Sequence, residues 1–289
     1  GNQVPTLALN FAESDTSTLS GFYQFALWPE DEAQAVARRA YASGARTAVA
    51  LVPSTETGYR LLNSFRAAFE ELGGEFLGFN GYDPNAQDFS GPIETLLNLD
   101  RSQQRRTRLA ANLNVGITFE PRRRQDVDMI FLGADRATAR LLAPALNFHF
   151  AGDIPTYATS DIHQPGAARD SDLNDIFFPD APLLLSPDPE AAQLRSALER
   201  YWPQRAPFLR LYGMGVDAYE LAGSLFSGSG QWPIDGVSGL LELDVAGRVH
   251  RVLPFAQFRN GQPVALEPLS DPRPERRGVL EAEELVGAR

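Results

Sequence analysis

The sequence predicts an α/β protein in which parallel sheets are flanked by helices and the chain is shared between two lobes. Three observations predict this. An apolar, β-branched run at 46–52 is followed by an amphipathic helix pattern and by a second strand, "EFLGFN" at 75–80, the order of a βαβ crossover. The unit recurs, with "DVDMIFLG" at 126–133, "DRATARLLAPALNFHF" at 135–150 and "IPTYAT" at 154–159. Finally, 289 residues with 43% hydrophobic content can bury a large core and suit two lobes better than one.

The elements follow in order. Residues 4–10 and 22–27 read as short strands. Pro29, Glu30 and Asp31 open a helix that runs to Gly44, because proline fits the first turn, acids favour the helix N-terminus, and glycine ends it. After the strand at 46–52, the polar turn "PSTETG" leads into a helix carrying Leu61, Leu62, Phe65, Ala68, Phe69 and Leu72 at helical spacing, and Gly73-Gly74 terminates it. Between the two βαβ units lie the Arg-rich helical stretch "RSQQRRTRLAANLNV" at 101–115 and "PRRR" at 121–124. In the second unit Pro144 falls inside the helix. Two more helices are expected at 188–202 and 208–227. Antiparallel strands follow: "SGLLELD", a turn at Val245-Ala246-Gly247, then "RVHRVLPFAQF" as one strand and a hairpin turn at Asn260-Gly261. From Pro268 the chain is charged and proline-containing, as in a loose tail.

Composition narrows the function. The formal charge is -11 and all 26 basic residues are Arg. A field of that sign repels phosphate backbones and anionic lipid, so neither nucleic acid nor a membrane surface is an expected partner. The lack of Lys excludes a P-loop lysine and a Schiff base, and with no Cys there is no disulfide or thiolate nucleophile. No apolar run is long enough to span a bilayer, and no secretory leader is read at the start, where "GNQVPTLALN" looks like a strand entered in mid-domain.

Motifs that carry chemistry are weak. Gly213, Gly215 and Ala218 have the G-x-G-x-x-A spacing of a dinucleotide-binding turn, but Leu209, Tyr212, Val216, Tyr219 and Gly223 fall at helical spacing, so one helix passes through both glycines. No cofactor is expected. His149, His163 and His250 have no paired spacing for a metal, and the acid pairs Asp126/Asp128 and Asp170/Asp172 are no closer together than chance allows among 37 acids. No catalytic residue is assigned, and the expected protein is not an enzyme. In open α/β sheets ligands sit beyond the carboxyl ends of strands. The turns there supply Ser54, Thr55 and Tyr59 after the first strand and Ser160 and Asp161 after "IPTYAT", the candidate lining of a ligand cleft. Their other reading is as plain turn and N-cap residues.

Residues 25–89, from "FALWPEDEAQAVARRA" through "RTAVALVPSTETGYRLL" to "NAQDF", resemble the lobe crossover and second lobe of type I periplasmic binding proteins. Residues 122–162 ("RRRQDVDMIFLGADRATARLLAPALNFHFAGDIPTYATSDI"), "RLYGMGVDAYEL" at 210–221 and "GVSGLLELDVAGRVHRVLPFAQFRNGQPV" at 236–264 resemble the LpoA/LppC family of outer-membrane lipoproteins that activate a class A penicillin-binding protein. The likeness covers residues 1 to about 266. It implies a two-lobed type I periplasmic binding protein-like fold built from discontinuous chain with three crossovers. The expected division is 1–30 and 186–236 in a partial first lobe, whose leading strands would precede Val4. Residues 31–185 and 237–266 form the second lobe, and 267–289 a tail.

The resemblance also implies a non-enzymatic, periplasmic role: docking on a peptidoglycan synthase and raising its output, with outer-membrane anchoring through a lipidated N-terminus that this chain does not contain. Interfaces favour Arg, so Arg101, Arg105, Arg106 and Arg108, inserted between the βαβ units, are the candidate partner surface. The alternative function is capture of an amino-acid-like solute between the lobes.

Overall fold

A computed structural model describes residues 4–12, 21–100, 102, 104–105, 122–167, 169–185, 189–227 and 232–269. Two sheets organise them. The larger has seven strands and the smaller five.

The larger sheet grows from the predicted βαβ units. Helix α1 (Pro29–Ala42) starts at Pro29, carries Glu30, Asp31 and Glu32 in its first turn and Arg39 in its last, and the chain leaves it through Gly44 at φ +104°. Strand β3 (Thr47–Pro53), helix α2 (Glu56–Glu71) and strand β4 (Glu75–Tyr82) follow, with Gly73 at φ +92° reversing the chain after α2. A short helix α3 (Ser90–Leu96) precedes strand β5 (Met129–Leu132), helix α4 (Arg136–Phe148) with Pro144 inside it, and strands β6 (Thr156–Ala158) and β7 (Phe177–Pro179). Strands β4, β3, β5, β6 and β7 are parallel neighbours.

Burial on both faces explains why β3 and β5 are almost wholly apolar. Ala48, Ala50, Val52, Met129 and Phe131 face α1 and α2, whose Val36, Ala40, Leu61, Phe65 and Phe69 pack against them. Val49, Leu51, Ile130 and Leu132 face the other way, onto Ile93 and Leu96 of α3 and Leu142 and Leu146 of α4. Phe65 stacks on Phe131 with ring centroids 4.4 Å apart. The result is a three-layer α/β/α lobe.

The smaller sheet holds strands β1 (Thr6–Ala8) and β2 (Phe22–Phe25) with three strands from the far end of the chain. Between them in sequence lie helices α5 (Pro182–Leu185), α6 (Pro189–Tyr201) and α7 (Leu209–Ser227). Strands β8 (Ile234–Gly236), β9 (Gly239–Leu243) and β10 (Arg248–Val252) are antiparallel to one another in turn, and β10 lies parallel to β2. Met214, Ala218 and Leu221 of α7 cover Phe25, Leu241, Leu243 and Val249 to make this lobe's core.

Two expectations need correction. "RVHRVLPFAQF" is not one strand: it breaks at Leu253-Pro254 into β10 and β11 (Phe255–Arg259), and β11 joins the larger sheet beside β7. Pro254 lacks the N–H that a continuous strand needs there. The same break moves β9 and β10 out of the lobe to which 237–266 were assigned, since both pair in the smaller sheet; only β11 and β12 (Gln262–Ala265) go to the larger one. The β11–β12 hairpin turns at Asn260 (φ +51°) and Gly261 (φ +72°), the paired positive angles that an Asn-Gly turn supplies. The expected tail from 270 onward lies outside the described residues.

The chain therefore passes between the sheets three times: from β2 into α1, from β7 into α5, and from β10 into β11. These crossings lie side by side, for Asp180 N–H donates to Pro254 O at 3.1 Å.

Candidate functional site: the crossings and the cleft beside them

Charged side chains are concentrated where the chain changes lobes. Asp31, in the first turn of α1, accepts from His250 Nδ1 at 2.8 Å and from the Arg251 backbone N–H at 3.2 Å, so the second lobe's first helix is bound to β10 of the smaller sheet. His250 Nε2 is 3.2 Å from Asp244 Oδ2. Its neighbour Glu32 accepts from the Ser160 N–H at 2.8 Å and the Ser160 hydroxyl at 3.0 Å, with the buried Arg251 guanidinium 3.7 Å away.

The second crossing is held by Arg210. It lies in the first turn of α7, and its Nε and Nη2 reach Asp180 Oδ1 and Oδ2 at 2.7 Å each, a two-point fork on a fully buried carboxylate. The same Nη2 is 3.0 Å from Ser160 O and 2.9 Å from His163 O. His163 Nδ1 meets Asp180 Oδ2 at 2.7 Å from the other side. Farther along α7, Asp217 accepts from the Val237 and Ser238 N–H groups at 2.8 Å each and from the Ser238 hydroxyl, fixing the helix to the β8–β9 turn.

The environment separates the protonation behaviour of these acids. Burial pushes the Glu32 carboxyl up to about 7, against the opposing pull of Arg251. For Asp180 burial acts in the same upward direction, but the Arg210 charge and the His163 and Arg210 hydrogen bonds outweigh it and hold the carboxyl below its ordinary value. For His250 burial disfavours the charged ring, yet the hydrogen bonds and charges of Asp244 and Asp31 raise it to about 10.

Beside the crossings opens a cavity of ≈ 320 Å³. Asp135, Arg136, Asp161 and Gln164 line it from the larger lobe, at the carboxyl ends of β5 and β6, and Pro207 and Arg210 wall it from the α6–α7 side. Of the five cleft candidates, Asp161 lines this cavity and Ser160 lies next to it, buried and committed to Glu32. Ser54, Thr55 and Tyr59 stand elsewhere. The Thr55 hydroxyl caps α2 by accepting from the Gly58 N–H at 3.1 Å, Ser54 donates its N–H to Tyr82 O at 2.8 Å, and Tyr59 is exposed with its ring edge-on to Phe79. Arg136 is forked on the buried Asp170 at 2.8 and 2.6 Å. Of the partner-surface candidates, Arg105 is exposed, whereas Arg101, Arg106 and Arg108 lie outside the described residues.

The other singled-out residues are structural. Gly213 and Gly215 lie within α7; a Cβ on Gly213 would come 3.2 Å from Leu183 Cδ2, so a small residue there admits α5. Asp126 pairs with Arg124 and Asp128 accepts from the Arg46 and Thr47 N–H groups. Asp172 pairs with Arg140. Among the described residues no group of three His, Cys, Asp or Glu could hold a metal. Sequence reasoning missed Asp31, Glu32, Asp180, Arg210 and the joining role of His163 and His250. Asp31 reads from sequence only as a helix-start acid, and no local pattern marks the others.

The family model described as "LppC putative lipoprotein" matches residues 1–261. The penicillin-binding protein activator LpoA of Vibrio cholerae is 27% identical over 262 residues, covering 89% of this chain and 43% of the relative. LpoA of Erwinia tasmaniensis is 29% identical over 278 residues, covering 89% of this chain and 40% of its own length. The chain thus spans less than half the length of the curated relatives it matches. Among solved structures, the LpoA C-domain of Haemophilus influenzae, described as a regulator of PBP1A, superposes with a TM-score of 0.66 at 20% identity over 91% of this chain and 74% of that one. The leucine-binding protein LivK of Thermotoga maritima superposes at 0.54 and 17% identity over 86% of this chain and 67% of that one. The fold is that of the LpoA C-domain and of periplasmic substrate-binding proteins, and the chain belongs to the LppC family.

Proposed function

We propose that this chain is the regulatory domain through which an outer-membrane lipoprotein docks, in the periplasm, on a class A penicillin-binding protein and raises its glycan-polymerising and peptide-crosslinking output. The observation that carries the reading is the family match over residues 1–261, joined to relatives named as penicillin-binding protein activators. Action is by contact, with no bond made or broken in this chain. Such a protein works by binding the synthase's active conformation more tightly than its resting one, since equal affinity for both shifts nothing.

The geometry supports contact over solute capture. The polar groups bordering the cavity, among them Ser160, Arg136 and Arg210, already have partners inside the protein. The Arg101 to Arg108 stretch remains the candidate docking face, with Arg105 exposed. Immobilised class A penicillin-binding protein is expected to retain this chain, and its glycan polymerisation to rise when the chain is added. Retention and stimulation both absent would defeat the reading.

A second reading is favoured by the ≈ 320 Å³ cavity with Asp161 and Gln164 on its wall: capture of an amino-acid-like solute. Thermal-shift measurements with amino acids, sugars and muropeptides separate the two. A stabilising ligand supports capture, and none at millimolar concentration supports docking.

A further inference from the structure

We infer that Arg210 is an interlobe latch: by gripping the second crossing and the loop after β6 from a helix of the smaller lobe, it fixes the two lobes at a single angle. The body is then a rigid platform, in contrast to a clamshell that opens and closes.

The argument starts from where Arg210 is rooted. Four residues beyond it, Met214 begins the α7 face that is buried against the smaller sheet, so the Arg210 backbone moves with that lobe. Its guanidinium ends in the other one. Ser160 and His163 follow β6, and Asp180 follows β7, both strands of the larger sheet. A planar fork locks direction as well as distance, because both Asp180 oxygens must stay in register with Nε and Nη2 while Nη2 keeps the two carbonyls within 3.0 Å.

The hinge itself is committed in the same sense. Lobe closure in two-lobed proteins is absorbed by a few residues that change backbone angles at the crossings. Here the second crossing is tied to the third through Asp180 N–H and Pro254 O, and the first to the third through Asp31 with His250 and Arg251. Rotation of one lobe would strip a buried carboxylate, Asp180, of its Arg210 cation, leaving it to His163 and the Ala181 N–H. Arg210 also walls the cleft, so the residue that sets the angle narrows the opening as well.

The chain contains no Cys, so a pair of spin labels can be placed without removing native thiols. Glu71→Cys at the end of α2 and Glu220→Cys on α7 are both exposed and sit in different lobes. Pulsed-dipolar distance measurement on the labelled protein is expected to give one narrow distribution. Adding Arg210→Met should broaden it and introduce a second population. Should Arg210→Met fail to fold by circular dichroism, Arg210→Lys serves instead: it keeps the charge but lacks the fork, and broadening is again expected. Two populations in the parent, or a distribution unchanged by the variant that folds, would overturn the latch.

Discussion

At the residue scale, the buried acids at the crossings make opposite contributions to stability, and pH separates them. Asp180 is fully buried and ion-paired, so Asp180→Ala leaves the Arg210 guanidinium with no counter-charge at the fork, only the Ser160 and His163 carbonyls, and removes the carboxylate partner of His163 Nδ1. A loss of about 3–5 kcal/mol is expected, read from urea unfolding at neutral pH. Glu32 behaves differently. Its carboxyl titrates near 7 in the folded protein against an ordinary value of 4.5, so the folded state binds the extra proton between those limits. Stability must therefore fall as pH rises from 4.5 through 7, by up to about 3 kcal/mol from this group. Glu32→Gln should flatten that slope in unfolding free energies measured at several pH values; an unchanged slope would count against the assignment. His250 adds a second decline at higher pH. Held charged by Asp31 and Asp244, it contributes stability that is complete below 6.5 and lost as pH rises through about 10, and His250→Gln should remove that alkaline loss.

At the element scale, the local units were legible and their assembly was less so. Helix α1 was readable because proline, acids and glycine mark its ends in consecutive residues, and β3 because an apolar β-branched run is what a strand covered on both faces requires. The Asn260-Gly261 hairpin carries its own turn chemistry. By contrast, the strand pairings that close the smaller sheet join β2 to β10 across more than two hundred residues, and no periodicity encodes such a partner. The candidate site divides in the same way. Asp161 is legible as a cavity-wall residue because it follows a strand end; Arg210, Asp180 and Asp31 are not, because their partners are fixed by the crossings and not by neighbours in sequence. Thr55 shows the converse, a candidate ligand residue whose hydroxyl serves the helix that follows it. Thr55→Ala should cost about 1 kcal/mol in thermal unfolding, the value of a lost N-cap, while stimulation of the penicillin-binding protein is unchanged. Gly58→Ala should be worse, since its Cβ would stand 2.1 Å from Pro53 O at the point where α2 closes on β3.

At the scale of the whole molecule, the proposed docking role makes the angle between the lobes matter to any partner that spans both. A synthase that touches both lobes at once reads that angle as part of its binding surface, and any fraction of molecules at another angle is unavailable to it. The apparent dissociation constant then rises by the inverse of the competent fraction. Arg210→Met, which removes the fork on Asp180 without altering an exposed surface residue, is expected to weaken binding to the penicillin-binding protein while leaving the maximal stimulation at saturation unchanged. Arg105→Glu, an exposed change on the candidate docking face, should lower binding without affecting the interlobe distance distribution. Titrating glycan polymerisation with each variant distinguishes them: the partner can still select the competent angle in the first, so excess protein restores full activity. If Arg210→Met binds as the parent does while its distance distribution has broadened, the synthase engages one lobe alone, and the contact surface must then lie entirely on one side of the crossings.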